Sequence, residues 1–155
     1  MKETAFSATR LLERPISLAS GVRRIRASTP PVFASPKAIA VWWRDWIRKE
    51  SPDWAARSQN AVLVEVRQRN VWCSTVLVLD TCSLRSLISS ALHYNGTCVS
   101  LLTWRHLYFS ERFEREAVDF IEMTTDVCRA LGMEFRDWIV VSKKTHMSWR
   151  ERSLL

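Results

Sequence analysis

Cys98-Val99-Ser100-Leu101-Leu102-Thr103-Trp104-Arg105-His106 opens the stretch on which the fold turns, and Met133-Glu134-Phe135-Arg136-Asp137-Trp138-Ile139-Val140-Val141 closes it. Both read as short, largely apolar strands. Between them Phe113, Ala117, Phe120, Ile121, Thr124, Val127, Cys128 and Leu131 recur at the spacing of one helical face. The order is therefore strand, loop, long amphipathic helix, strand, and the apolar helix face needs a sheet to lie on. Ser110 is placed to cap the helix, Glu111, Glu114 and Glu116 sit at the positive end of its dipole, and Gly132 supplies the left-handed residue that ends it. Thr103 to Ser110, where a strand's C-terminal end meets a helix N-terminus, is the natural place for an active site.

Upstream, Ser35-Pro36 is an N-cap followed by a proline at the first helical position, and Ile39, Trp42, Trp43, Trp46 and Ile47 make an amphipathic helix to Glu50, stopped by Ser51-Pro52. Three tryptophans at helical spacing read first as core. Ala61 to Val66 and Val71 to Leu79 form a hairpin turned by Arg67-Gln68-Arg69-Asn70. Leu84, Leu87, Ile88, Ala91 and Leu92 make a further helix, ended by Asn95-Gly96. A basic tail is expected from Lys143. The pattern predicts an α/β domain: a mixed β-sheet with helices packed on its faces, spanning residues 35 to 155.

Residues 1 to 34 read as a basic, disordered leader with a short helical turn at Leu11-Leu12. Lys2, Arg10, Arg14, Arg23, Arg24 and Arg26 against Glu3 and Glu13 give this end +4 of the chain's net +7. Such a tail can neutralise phosphates without reading sequence, or serve only as a solvated leader. With 47% hydrophobic residues in 155, the composition suits one domain with a substantial core, and eight tryptophans with three glycines point to dense aromatic packing. No apolar run reaches membrane-spanning length, so no membrane partner is expected. The start lacks the pattern of a secretory signal, and the expected location is cytoplasmic. Cys73, Cys82, Cys98 and Cys128 form no C-x-x-C pair and are expected to be reduced, buried thiols and not zinc ligands.

Several segments are similar to one family. Ser35-Pro36-Lys37-Ala38 with Trp43-Arg44 resembles a Ser-Pro opening followed by an aromatic-Arg pair. Val62 to Asn70 resembles an apolar run ending in Asn-Thr-Arg-Asn, and Leu79-Asp80-Thr81 a Leu-Asp-Thr ahead of the central helix. Leu131-Gly132-Met133-Glu134-Phe135-Arg136-Asp137-Trp138-Ile139-Val140-Val141 resembles Leu-Gly-Ile-x-Leu-x-Asp-His-x-Ile-Val, with Trp138 in place of histidine. Met147-Ser148-Trp149-Arg150-Glu151 resembles the closing Tyr-x-Ser-h-Arg-Glu. The family is the RadC-like proteins, a bacterial branch of the JAB/MPN (JAMM) metalloprotease fold. The resemblance runs from about residue 34 to the C-terminus. It implies a cytidine-deaminase-like sandwich and a zinc centre built from His-x-His-Pro-Ser-Gly-Asp, with a Ser and an Asp in the following helix. In such a centre two imidazoles and a carboxylate hold the metal, and a Glu from elsewhere takes the proton of its water.

The motif is mostly missing from this chain. The second histidine falls on His106, but the first falls on Trp104, the serine on Glu114 and the aspartate on Ala117; Leu107-Tyr108-Phe109-Ser110 replaces Pro-Ser-Gly-Asp. A two-residue slip brings Asp119 toward the aspartate position. No glutamate between Val71 and Ser110 is available as the base, and neither His93 nor His146 has ligand spacing to His106. Three functions follow. The first is a catalytically degenerate RadC-like domain acting as a binding or scaffold module, without a cofactor, in which Trp104, Leu107, Tyr108 and Phe109 plug the old cleft or form a protein-partner patch. The second is a zinc-dependent metallohydrolase keeping His106 and Asp119 as ligands. The third, in line with the DNA-repair name of the family, is a nucleic-acid-binding protein using Arg23, Arg24, Arg26, Lys143 and Lys144.

Overall fold

A computed structural model describes residues 22–24, 32, 35–50, 53, 59–79, 82–105 and 111–153. Leu11-Leu12, Ser51-Pro52, Asp80-Thr81 and Ser110 lie outside the described residues, as does the expected leader apart from residues 22–24 and 32. The elements in chain order are β1 (Val22–Arg24), α1 (Pro36–Glu50), β2 (Gln59–Gln68), β3 (Val71–Leu79), α2 (Leu84–His93), β4 (Cys98–Trp104), α3 (Glu111–Ala130), β5 (Glu134–Val141) and β6 (His146–Ser148). The strands join in one mixed sheet ordered β1-β3-β2-β4-β5-β6, in which β4 and β5 are parallel and every other pair is antiparallel. Parallel neighbours need a crossover, which α3 provides.

Period-two alternation decides which helix each strand residue meets. Val62, Val64, Leu77, Val99, Leu101, Trp138 and Val140 face Leu87 and Ala91 of α2 and Ala117, Ile121 and Cys128 of α3. Their alternates Ala61, Leu63, Val76, Leu102, Trp104, Ile139 and Val141 face Ile39, Ala40, Trp43 and Ile47 of α1. The sheet is thus covered on both sides, and all seven residues of β4 at its centre are buried. Ser35 caps α1 by accepting the Ala38 amide at 3.2 Å. Of its tryptophans, Trp43 is fully buried and stacks with half-buried Trp46 at 5.5 Å.

Three local features depart from the sequence expectation. The hairpin turn is only two residues, Arg69 and Asn70, both at positive φ, so β2 runs on to Gln68; the geometry matches the right-handed twist of the strands. Asn95-Gly96 ends α2 as expected, with Asn95 at positive φ (53°). Gly96 is required for another reason: a Cβ there would lie 2.8 Å from Val64 Cγ1. Val22–Arg24, within the expected leader, pairs antiparallel with Leu79–Leu77 as an edge strand. The expected basic tail from Lys143 is instead a turn leading into β6, after which Trp149 is buried and its amide bonds the Trp138 carbonyl at 3.1 Å. An apolar Met147 and Trp149 interleaved with polar residues is what draws this segment back onto β5. Gly132, at φ 74°, ends α3 as expected.

A β-bulge sets the start of β5. Val99 pairs with Phe135 but Ser100 with Asp137, leaving Arg136 as the additional residue. Its guanidinium donates to the buried Glu65 carboxylate at 2.9 Å, reaching past β4 to β2.

Candidate functional site

The C-terminal end of β4 meets the first turns of α3 at a cavity of about 310 Å³, lined by Asn60, Cys82, Thr103, Phe113, Glu116 and Trp138 among others. Thr103 stands directly opposite Asn60 in the β2–β4 ladder, and its hydroxyl donates to Asn60 Oδ1 at 2.8 Å. The Thr103 hydroxyl oxygen in turn accepts the indole N–H of Trp138, also at 2.8 Å. Phe113 and Phe120, one helical turn pair apart on α3, meet the Trp138 ring edge-on with centroids 5.9 and 5.6 Å away, and Trp149 lies against it at 6.0 Å. Aromatic quadrupoles favour this edge-to-face packing. The Arg105 guanidinium sits 4.3 Å from the centre of the Phe113 ring, and its backbone amide continues the β4–β5 pairing by bonding the Val141 carbonyl at 3.0 Å. Burial pushes the Cys82 thiol up to about 11, so it is protonated and unreactive at neutral pH.

Of the residues singled out from the sequence, the described ones do not converge here. His106, Leu107, Tyr108 and Phe109 lie outside the described residues. Trp104 is only 4% exposed and packs into the layer beneath α1, on the opposite face of the sheet from α3. It therefore belongs to the core and presents no surface to a partner: strand alternation sends it to the same side as Leu102. Asp119 is exposed and lines a shallow groove with Glu111, Glu114 and Arg115. It stands two residues, roughly 200° of helical turn, from Ala117, which faces the sheet. Among the described residues no group of three His, Cys, Asp or Glu side chains is placed to hold a metal ion. For the zinc centre implied by the resemblance, the described residues do not fit: a buried indole stands at one ligand position, a methyl group at another, and Asp119 is turned away.

Arg23 and Arg24 lie on β1 at one edge of the sheet, Lys143 and Lys144 in the turn before β6 at the other. Five strand spacings, about 24 Å, separate these edges. Arg26 lies outside the described residues. The lysine turn is instead bound to α1, where Arg44 donates to the Ser142 and Thr145 carbonyls at 2.9 and 3.0 Å. Arg48, one turn further along α1, extends the same basic edge.

Two arrangements have no counterpart among the residues singled out from the sequence: the Asn60–Thr103 pair and the buried carboxyl of Asp137. Asn60 and Thr103 become a pair only through the β2–β4 register. Asp137 is 2% exposed, accepts the Ser148 hydroxyl at 2.5 Å and the Arg150 amide at 3.0 Å, and burial raises its carboxyl pKa above the ordinary value. A lone acid in the run Phe135 to Val141 was the available signal. The cysteines differ from expectation in one case: Cys98 and Cys128 are buried and Cys82 half-buried, but Cys73 is exposed on β3.

No protein-family model matches the chain, and no curated protein does.

Proposed function

We propose that this chain is a non-catalytic binding module built on a JAB/MPN-like, RadC-like fold. The reading is supported by the occupant of the cleft at the end of β4: an indole whose N–H is already engaged by Thr103, clasped edge-on by Phe113 and Phe120. A hydrolytic metal centre needs lone pairs and an open coordination position there, and an aromatic plug offers neither. The cavity that remains beside the plug, with Asn60, Cys82 and Arg105 on its wall, is suited to recognition of a partner side chain and not to bond cleavage. The test is zinc content after dialysis against trace zinc, comparing wild type with His106→Ala. Absence of stoichiometric zinc in both agrees with a binding module. About one zinc per chain, lost in the variant, would overturn it in favour of a zinc-dependent metallohydrolase.

A second function, nucleic-acid binding, is favoured by the edge where Arg44 holds Lys143 and Lys144 against α1 beside Arg48. Neutralising both lysines with glutamine should lower the slope of log affinity for duplex DNA against log salt by about 1.8, from two lost phosphate contacts. An unchanged slope rules this edge out.

A further inference from the structure

On the face of the sheet covered by α1, away from the aromatic plug, lies a second cavity of about 410 Å³, within the size range of small-molecule sites. Pro36, Ile39 and Ile139 supply its apolar wall, and its polar groups come from three separate places: Ser100 of β4, Glu134, Arg136 and Asp137 of β5, and Arg150 after β6. The first turn of α1 borders it, bringing the positive end of a 15-residue helix. In that turn Ser35 accepts the Ala38 amide through its hydroxyl and the Ile39 amide through its carbonyl, and the Lys37 amide is used by neither bond.

Ser100 lines this cavity with 1% exposure, and its hydroxyl is buried without a hydrogen-bond partner among the described residues. Buried hydroxyls are nearly always paired, so an unpaired one on a cavity-lining residue calls for a partner. Arg136, whose Nη1 is held by Glu65 at 2.9 Å, turns its Nη2 toward the exposed carboxylate of Glu134 at 3.8 Å, and Arg150 approaches the same carboxylate at 3.6 Å. Neither distance to Glu134 is that of a charge-assisted hydrogen bond, which closes to about 2.7–2.9 Å. Asp137, the other acid on the cavity wall, has both oxygens engaged by Ser148 and the Arg150 amide.

The geometry points to a binding site for a small organic anion, whose phosphate or carboxylate headgroup displaces Glu134 from between Arg136 and Arg150 at the mouth of α1. The headgroup then meets the Ser100 hydroxyl, and a short apolar body lies against Ile39 and Ile139. Glu134 is an internal competitor, held loosely enough to be swung out into solvent, where it is already 55% exposed.

The test is a ¹H–¹⁵N NMR titration of the full chain with inorganic phosphate and, separately, with butyrate. Saturable shifts at the amides of Ser100, Asp137 and Arg150 are expected with at least one of them, and whichever anion saturates identifies the headgroup. Glu134→Gln removes the competitor and should tighten binding about fivefold, while Arg150→Gln, at an exposed position, should weaken it about tenfold by deleting one charge-assisted contact. Ser100→Ala, which keeps the buried volume nearly unchanged, should weaken it about threefold. The inference is overturned if neither anion gives saturable shifts in wild type or Glu134→Gln at about 50 mM, a concentration that would reveal even a millimolar Kd. It is equally overturned if binding is the same in Arg150→Gln as in wild type.

Discussion

Removing the hydroxyl under Trp138 should show how firmly the plug is seated. Thr103→Val keeps the shape of the side chain but leaves a buried indole N–H and the Asn60 Oδ1 without their 2.8 Å partner. An unpaired buried donor costs about 1–3 kcal/mol; Asn60, half-buried beside the cavity, recovers part of its loss by turning to water, so about 2 kcal/mol in total is expected. Trp138→Phe loses the same hydrogen bond, about 1 kcal/mol, and a further ~1 kcal/mol for the space left by the smaller ring among Phe113, Phe120 and Trp149. If the two residues act through one shared bond, the double variant loses about 3 kcal/mol instead of the additive ~4, a coupling of about 1 kcal/mol. Urea denaturation followed by far-ultraviolet circular dichroism measures it without relying on the fluorescence of the residue replaced. A coupling below about 0.3 kcal/mol, with unchanged m-values, would refute the shared bond and with it the account of the cleft as sealed by a fixed indole.

Three other outcomes are expected. Arg136→Met removes the 2.9 Å ion-pair partner of the buried Glu65 carboxylate and should destabilise the protein by about 3 kcal/mol, whereas Glu65→Leu with Arg136→Met should recover most of that loss; denaturant midpoints of the two variants decide it. The Asp137 carboxyl has a folded pKa raised mainly by burial, so its contribution to stability is present below the ordinary carboxylate value of about 3.9 and is lost as pH rises through the raised value. Asp137→Asn should remove that component from the pH dependence of the urea midpoint, and an unaltered profile would contradict it. At pH 8 the native protein should show one fast-reacting thiol, lost in Cys73→Ser, because burial pushes Cys82 and Cys128 up to about 11 and Cys98 up to about 12; counting thiols with a chromogenic disulfide before and after unfolding checks this.

Element identity was legible in the chain because it rests on short-range chemistry. Pro36 after Ser35, the stripe from Phe113 to Cys128, and Gly132 with its positive φ are each decided within a few residues of themselves, and α1 and α3 form where those signals stand. The same holds for the β2–β3 hairpin, though not for its turn: whether four residues or two make the bend depends on how far the paired strands continue to twist, which one strand's sequence does not state. The α/β class with a mixed sheet followed from this order. Nothing local announced that Val22–Arg24 joins β3 or that Trp149 returns under Trp138, since these pairings join residues about 55 and 11 positions apart.

The candidate sites were the least legible for the same reason. A site is a convergence of side chains, and convergence is set by strand register and by which face each residue takes. Trp104 lies next in sequence to the expected active-site loop, yet strand alternation buries it under α1; Asp119 is two residues from a core position, yet helical rotation turns it to solvent. Thr103 and Asn60 are 43 residues apart and Arg136 and Glu65 are 71 apart, and only the ladder β2-β4-β5 brings them within hydrogen-bond reach. The amino-acid order settled which segments are helices and strands and which of their faces are apolar, because those follow from periodicity and capping. Tertiary pairing alone decided which polar groups meet, because a one-residue change of register, such as the bulge at Arg136, sends a side chain to the other face of the sheet.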